Sequence, residues 1–212
     1  MASQIEFRAA QPSDVHAAVP LIYSSGPEAF NFVFKPTPAQ EAQNFLRRAF
    51  VRPGGEFGYR NHIVALVNHQ VVGIGTAFSG DAVLEYTTSA ARVIFGMYGL
   101  HSFRVAINGL RVENIVKQPQ GNIHYIAHLG VVPELRSQGI GAAIVQELLQ
   151  QGARRGRSIA ELDVAVTNPR AQALYERLGF QIISEHASNL QNAFARVPAH
   201  RRMRKSIDTI RS

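Results

Sequence analysis

The stretch from residue 125 to residue 142 constrains the fold more than any other. An apolar run ends at Val131-Val132, Pro133 halts the extended segment, and a basic, glycine-bearing loop opens an amphipathic helix. The helix is legible from Ile140, Ile144, Val145, Leu148 and Leu149, which share one face at 3.6-residue spacing. Strand, short turn and glycine-rich helix start together make an anion cradle. The free N–H groups of Gln138, Gly139, Ile140, Gly141 and Ala142 point outward, and the helix dipole favours negative charge there. Gly139 and Gly141 carry no side chain to hold a diphosphate away from the backbone. A dinucleotide fingerprint does not fit, because Ile144 stands where its third glycine belongs. A Walker loop does not fit either, for want of Gly-Lys-Ser/Thr.

A second short helix follows further along. Asn168 is a good N-cap, Pro169 suits the first helical position, and Gly179 ends the helix before Phe180. Arg136-x-x-Gly139-x-Gly141, then Asn168-x-x-Ala171-x-x-x-Tyr175 and Leu178-Gly179-Phe180, resembles the GCN5-related N-acetyltransferase (GNAT) superfamily. The resemblance is close over residues 123–183 and looser over residues 4–24, 61–79 and 199–206. It implies an α/β (α+β) fold with a mixed, mostly antiparallel sheet of about seven strands. In that fold strands 4 and 5 splay apart and helices cover both faces. The implied donor is acetyl-CoA, with its pyrophosphate on Arg136, Ser137, Gln138, Gly139, Ile140, Gly141 and Ala142. Asn168 and Ala171 supply pantetheine contacts, and Tyr175 is the acid that protonates the departing thiolate.

Composition sets the bounds. A chain of 212 residues, 46% hydrophobic and 17% charged, builds one globular domain spanning residues 1–212, with room for an insertion. No apolar run is long enough for a membrane span and the Met1-Ala2-Ser3 start is not secretory, so a cytoplasmic enzyme is expected. The cysteine count is zero, which removes disulfides, cysteine metal sites and any thiol nucleophile. Acyl transfer therefore goes directly from the thioester to an amine, and no metal is expected. The net charge of +7 is dispersed over Arg47-Arg48, Arg154-Arg155-Arg157 and the segment Arg201 to Lys205. CoA phosphates account for the excess, and nucleic-acid binding is the weaker reading.

In chain order, Ile5, Phe7 and Ala9 alternate as a first strand, and Pro12-Ser13-Asp14 starts a helix through Val15, Val19 and Ile22 that Pro20 would kink. Between Ser24 and Pro38, Phe30, Phe32 and Phe34 alternate, which reads as a core-facing strand or loop; by the resemblance it borders the acceptor pocket. Another helix runs from Pro38 to Val51. A hairpin turns at Asn68-His69-Gln70, and its histidines, His62 and His69, read as solvated groups with no assigned chemistry. Residues 81–119 depart from the family pattern and read as a helix pair, through Val93, Phe95, Met97 and Leu100, then Phe103, Ile107 and Leu110. With apolar residues on more than one face, the pair should lie between the sheet and something else, a second subunit in a homodimer or the acceptor, or else serve as a plain structural pack-on.

The strand from Ile123 to Val131 contains Gly130, which marks a bulge or a close backbone approach. A bulge would free ladder groups of Leu129 and Val131 for the pantetheine arm, and a strand N–H would hold the oxyanion. The acceptor amine is mostly protonated at pH 7, so a base is useful. Asp163 and His128 lead as candidates, with His124, Glu161 and bulk water as the other options. Asp163, on the fifth strand, takes a position where some peptide amino-terminal acetyltransferases of the superfamily carry an acidic base. His128 lies beside the bulge; strict alternation would set it on the side shared by His124 and Ile126, and Glu161 on the side of Asp163. The function read from all this is transfer of an acetyl group to a primary amine of a small molecule or peptide. Its rival is a non-catalytic CoA-binding or protein-interaction module.

Overall fold

The computed structural model describes residues 4–208; Met1-Ala2-Ser3 and residues 209–212 lie outside the described residues. Its elements are β1 (Glu6–Ala9), α1 (Val15–Ser24), α2 (Pro27–Phe34), α3 (Ala42–Phe50), β2 (His62–Val67), β3 (Gln70–Phe78), α4 (Val83–Tyr98) and α5 (Ser102–Glu113). They continue with β4 (His124–Val131), α6 (Ile140–Arg154), β5 (Ile159–Ala165), α7 (Pro169–Arg177), β6 (Gln181–His186) and β7 (His200–Ser206). The strands form one sheet of 7 in the order β1-β2-β3-β4-β5-β7-β6. Every neighbour pair is antiparallel except β4 with β5. The tight β2–β3 turn is made by Asn68 and His69, both left-handed at φ 50° and 61°, the conformation that suits the twist of a two-residue hairpin.

Helices cover both faces. On one, α1 to α5 close over a core centred on Ile22, Phe32, Phe45, Leu46, Phe50 and Ile74. On the other, α6 and α7 cover Ile144, Leu148, Phe180 and Met203. Gly73 and Gly75 let α6 sit down on β3, since a Cβ at either would meet Ile144 at 2.7 or 2.8 Å. Helix α1 runs through Pro20 without a break.

The phenylalanine triplet is helical, not a strand or loop. Pro27 at the first turn and Glu28 behind it favour a helix start. On α2, Phe30 and Phe34 fall one turn apart and stack at 6.4 Å, while Phe34 stacks on Phe45 at 3.8 Å. Three residues in alternation are too few to tell a strand from one helical turn.

The insertion is the expected helix pair, α4 and α5, turned at Gly99 with φ 51°. Its inner face is covered by the chain's own α2 and α3. Tyr98 Oη donates to the Phe34 carbonyl at 2.7 Å and Asn108 Nδ2 to the Phe32 carbonyl at 3.0 Å. These bonds pin the pair to α2.

The parallel join between β4 and β5 consists of His124 with Ala160 and Tyr125 with Glu161, after which the strands part. β5 stays paired with β7 over Ile159–Ala165, so it leaves β4 in β7's company. The bulge in β4 lies two residues before the expected glycine. Ile74 faces Gly130 and Thr76 faces Ala127, so Gly75 alone opposes both His128 and Leu129, and His128 takes φ 54°. Gly130 serves the other purpose: a Cβ there would stand 2.3 Å from the Leu21 carbonyl of α1. The bulge also breaks the alternation. His124 turns toward α6, bonding the Leu148 carbonyl at 2.8 Å, whereas His128 turns to the opposite face, against Phe57 and Phe30.

Candidate active site

The cradle at the start of α6 is open. Ser137 and Gly139 are left-handed at φ 65° and 86°, which bends the chain so that successive N–H groups line one concavity. No atom lies within 4 Å of where a Gly139 Cβ would stand, so a phosphate can close on the backbone. Gly141 is more enclosed, with Leu174 and Val131 at 3.4 and 3.8 Å from its Cβ position. The Ile140 side chain is buried in the α6 core and offers the cavity only its main chain. Around the turn, Arg136 Nε donates to the Val131 carbonyl at 3.1 Å, Gln138 Nε2 to the Glu134 carbonyl at 3.4 Å, and Arg170 reaches the Ser137 hydroxyl. The Val131 carbonyl is thus already engaged by Arg136. Asn168 Oδ1 accepts from the Ala171 N–H at 3.1 Å and caps α7. A helix start with open glycine space and flanking arginines fits a diphosphate.

From this turn one cavity of about 1010 Å³ runs through the gap between β4 and β5. It passes Leu129, Gly130, Val131, Ala142, Ala171 and Tyr175 and ends against α2, α4 and α5. That volume lies at the top of the range for single-ligand pockets, enough for two reactants end to end.

Where the gap opens stands a histidine pair. His62 Nδ1 lies 3.0 Å from the Gly58 carbonyl, which only accepts, so Nδ1 carries the proton and Nε2 the lone pair. His62 Nε2 lies 3.0 Å from His128 Nδ1, which must then donate. With Nδ1 turned to His62, His128 presents Nε2 to Glu56 Oε1 at 3.4 Å. Both histidines line up in parallel, 5.3 Å between ring centres, and Phe57 stacks on His128 at 5.0 Å. His62 is therefore a buried orienting group, not the solvated residue its place beside a turn suggested. Burial and the neighbouring His128 push its pKa down to about 3. The loop from Gly54 to Gly58 brings Glu56, Phe57 and the Gly58 carbonyl to this spot; it is wound tightly enough that a Gly58 Cβ would lie 2.3 Å from the Gly54 carbonyl.

The neutral burial of His62 has a measurable cost in acid. Below its ordinary value of 6.5 an unfolded His62 gains a proton, whereas the folded one holds out to about 3. His124, buried on α6, holds out to about 4. Both contributions are present above pH 6.5 and drain away as pH falls, by up to about 1.4 kcal/mol per pH unit for each histidine. Urea unfolding at pH 8, 6.5 and 5 should show a plateau and then a fall; a midpoint independent of pH would contradict it.

Asp163 is held differently. Its carboxylate accepts from Arg202 Nη2 at 2.6 Å and from the Tyr125 hydroxyl at 2.7 Å, and its side chain is 3% exposed. Glu161, on the same side of β5 as expected, pairs with Arg202 at 3.3 Å and Arg204 at 2.6 Å. Tyr175 is buried across the gap, its ring edge-on to Phe180, and burial raises its pKa to about 12. It stays protonated at any working pH. Sequence reasoning missed Glu56, His62, Tyr125 and Arg202. Only the glycine cluster Gly54, Gly55 and Gly58 hinted at a shaped loop there.

A model of the acetyltransferase (GNAT) family matches residues 28–180. An uncharacterized N-acetyltransferase of Methanocaldococcus jannaschii is 40% identical over 70 residues, 33% of this chain and 30% of that protein. The ribosomal protein bS18-alanine N-acetyltransferase of Escherichia coli is 30% identical over 79 residues, 37% of this chain and 53% of that protein. The chain thus spans between about a third and a half of these relatives. The crystal structure of an N-acetyltransferase from Staphylococcus aureus superimposes with a TM-score of 0.69 at 18% identity, covering 94% of this chain and 100% of that one. Fold, paired motifs and the match over residues 28–180 agree: the chain belongs to the acetyltransferase (GNAT) family.

Proposed function

We propose that the protein is an acetyl-CoA-dependent N-acetyltransferase that moves the acetyl group directly to a primary amine of a small molecule or peptide. One observation carries this reading: the glycine turn of α6 and the His128 imidazole open onto the same cavity from opposite sides of the β4–β5 gap. Acetyl-CoA supplies the activated acyl carbon, and without cysteine the chain has no thiol to accept it first.

His128 Nε2 takes the proton from the attacking amine, and Glu56 faces the imidazolium that results. His62 holds the ring plane of His128, whose Nε2 lies beside Glu56 on the cavity wall. A β4 main-chain N–H beyond the last β5 pairing faces the oxyanion as the C–N bond forms. As the C–S bond breaks, the Tyr175 hydroxyl gives its proton to the thiolate, whose own proton affinity is raised by the same dry surroundings. The proton on His128 then restores the phenol through solvent. Asp163, engaged by Arg202 and Tyr125, serves as a structural anion rather than the base.

Thiol release with an amine panel tests the reading. Tyr175→Phe should lower kcat about 100-fold while the rise in melting temperature given by acetyl-CoA stays as in the parent. Equal losses in turnover and in acetyl-CoA binding would sink the acid assignment.

A further inference from the structure

We infer that the acceptor is a primary amine on an apolar body, an alkylamine or arylalkylamine; this rests on the acetyl-transfer reading above. The arm of the cavity beyond His128 is walled by Phe30, Val33, Ile94, Val105 and Val112, from α2, α4 and α5. On these helices the polar side chains that line the cavity are Tyr86, Thr87 and Glu113, and Thr87 bonds the Val83 carbonyl; the other buried ones are turned to the protein itself. Tyr98 bonds the Phe34 carbonyl, Ser102 the Ile94 carbonyl and Asn108 the Phe32 carbonyl. Of the carboxylates that line the cavity, Asp163 is paired with Arg202, Glu56 lies 3.4 Å from His128 Nε2, and Glu113 accepts from Gln118 Nε2 at 3.4 Å.

The amide groups of a peptide would enter this arm with few partners, and a second ammonium would have only Glu113 once Glu56 faces the imidazolium. A hydrocarbon needs none. The mouth points the same way. Phe95 and Leu110 line the cavity and are also 55% and 64% exposed. They continue outward into Phe103 and Ile107, with Phe95 and Phe103 edge-to-face at 6.0 Å. An apolar strip on the surface therefore leads into an apolar arm that ends at the base. In the transfer itself the amine nitrogen bonds the acyl carbon, the C–S bond breaks, and the amine proton is replaced on the released thiol, so no further reactant is required.

The test is the rate of thiol release at saturating acetyl-CoA with the full chain. The acceptors are n-propylamine through n-octylamine, 2-phenylethylamine, 1,6-diaminohexane, spermidine and a short peptide with a free alanine terminus. kcat/KM should rise about fourfold per added methylene until the arm is full, and hexylamine should exceed 1,6-diaminohexane at least tenfold. Leu110→Asp, at the exposed mouth, should flatten the chain-length series and leave the acetyl-CoA melting shift unchanged. A flat series in the parent, or a diamine, spermidine or peptide outrunning hexylamine, overturns this acceptor class and leaves acetyl transfer standing. Thiol release with none of them, while acetyl-CoA still raises the melting temperature, overturns the transfer reading and this inference with it.

Discussion

His128→Gln should reduce kcat by about two to four orders of magnitude with little change in acetyl-CoA affinity. Glutamine can still hydrogen-bond His62 but has no lone-pair nitrogen to accept a proton. The readout that separates a lost base from a distorted site is the split between turnover and donor binding: a distorted site would also lose the melting shift given by acetyl-CoA. Glu56→Gln should lower turnover by a smaller factor, because the imidazolium then forms opposite a neutral group. A His128 variant that keeps most of the rate would move the base elsewhere, and Asp163 would return as the candidate.

Arg202→Met should cost about 3–5 kcal/mol of folding stability, measured by urea unfolding at pH 7.5. The guanidinium, 9% exposed, reaches Asp163 at 2.6 Å, Glu161 at 3.3 Å and the Lys117 carbonyl. Removing it leaves Asp163 buried with no cation and only the Tyr125 hydroxyl as donor among the side chains described above. Glu161 keeps Arg204, which holds the loss below that of two stranded charges. Adding Asp163→Asn to Arg202→Met should therefore restore part of the stability. A loss under about 1 kcal/mol would put this pair in the class of solvated surface bridges.

The sheet, the two motif helices and the insertion were legible because each rests on local pattern. Ile140, Ile144 and Leu148 repeat at helical spacing, and Asn168-Pro169 is a helix start wherever it occurs. What escaped depends on residues far apart in the chain. His62 and His128 meet only because a bulge inverts the alternation of β4, and nothing in a strand's sequence marks where it will double a residue against its partner. Arg202 looked like one more basic residue near the end of the chain until β7 brought it beside Asp163 and Glu161. The phenylalanines of α2 show the complementary failure, a periodicity too short to carry a decision.

The two residue pairs that join β4 to β5 have one more consequence. They form a narrow isthmus between two wings, β1 to β4 on one side and β5, β7 and β6 on the other. His128 rides on the first wing and Tyr175, on the helix that follows β5, on the second. In the proposed reaction the proton's entry and exit points are thus borne by different halves of the molecule, so the angle at which the wings meet sets their separation.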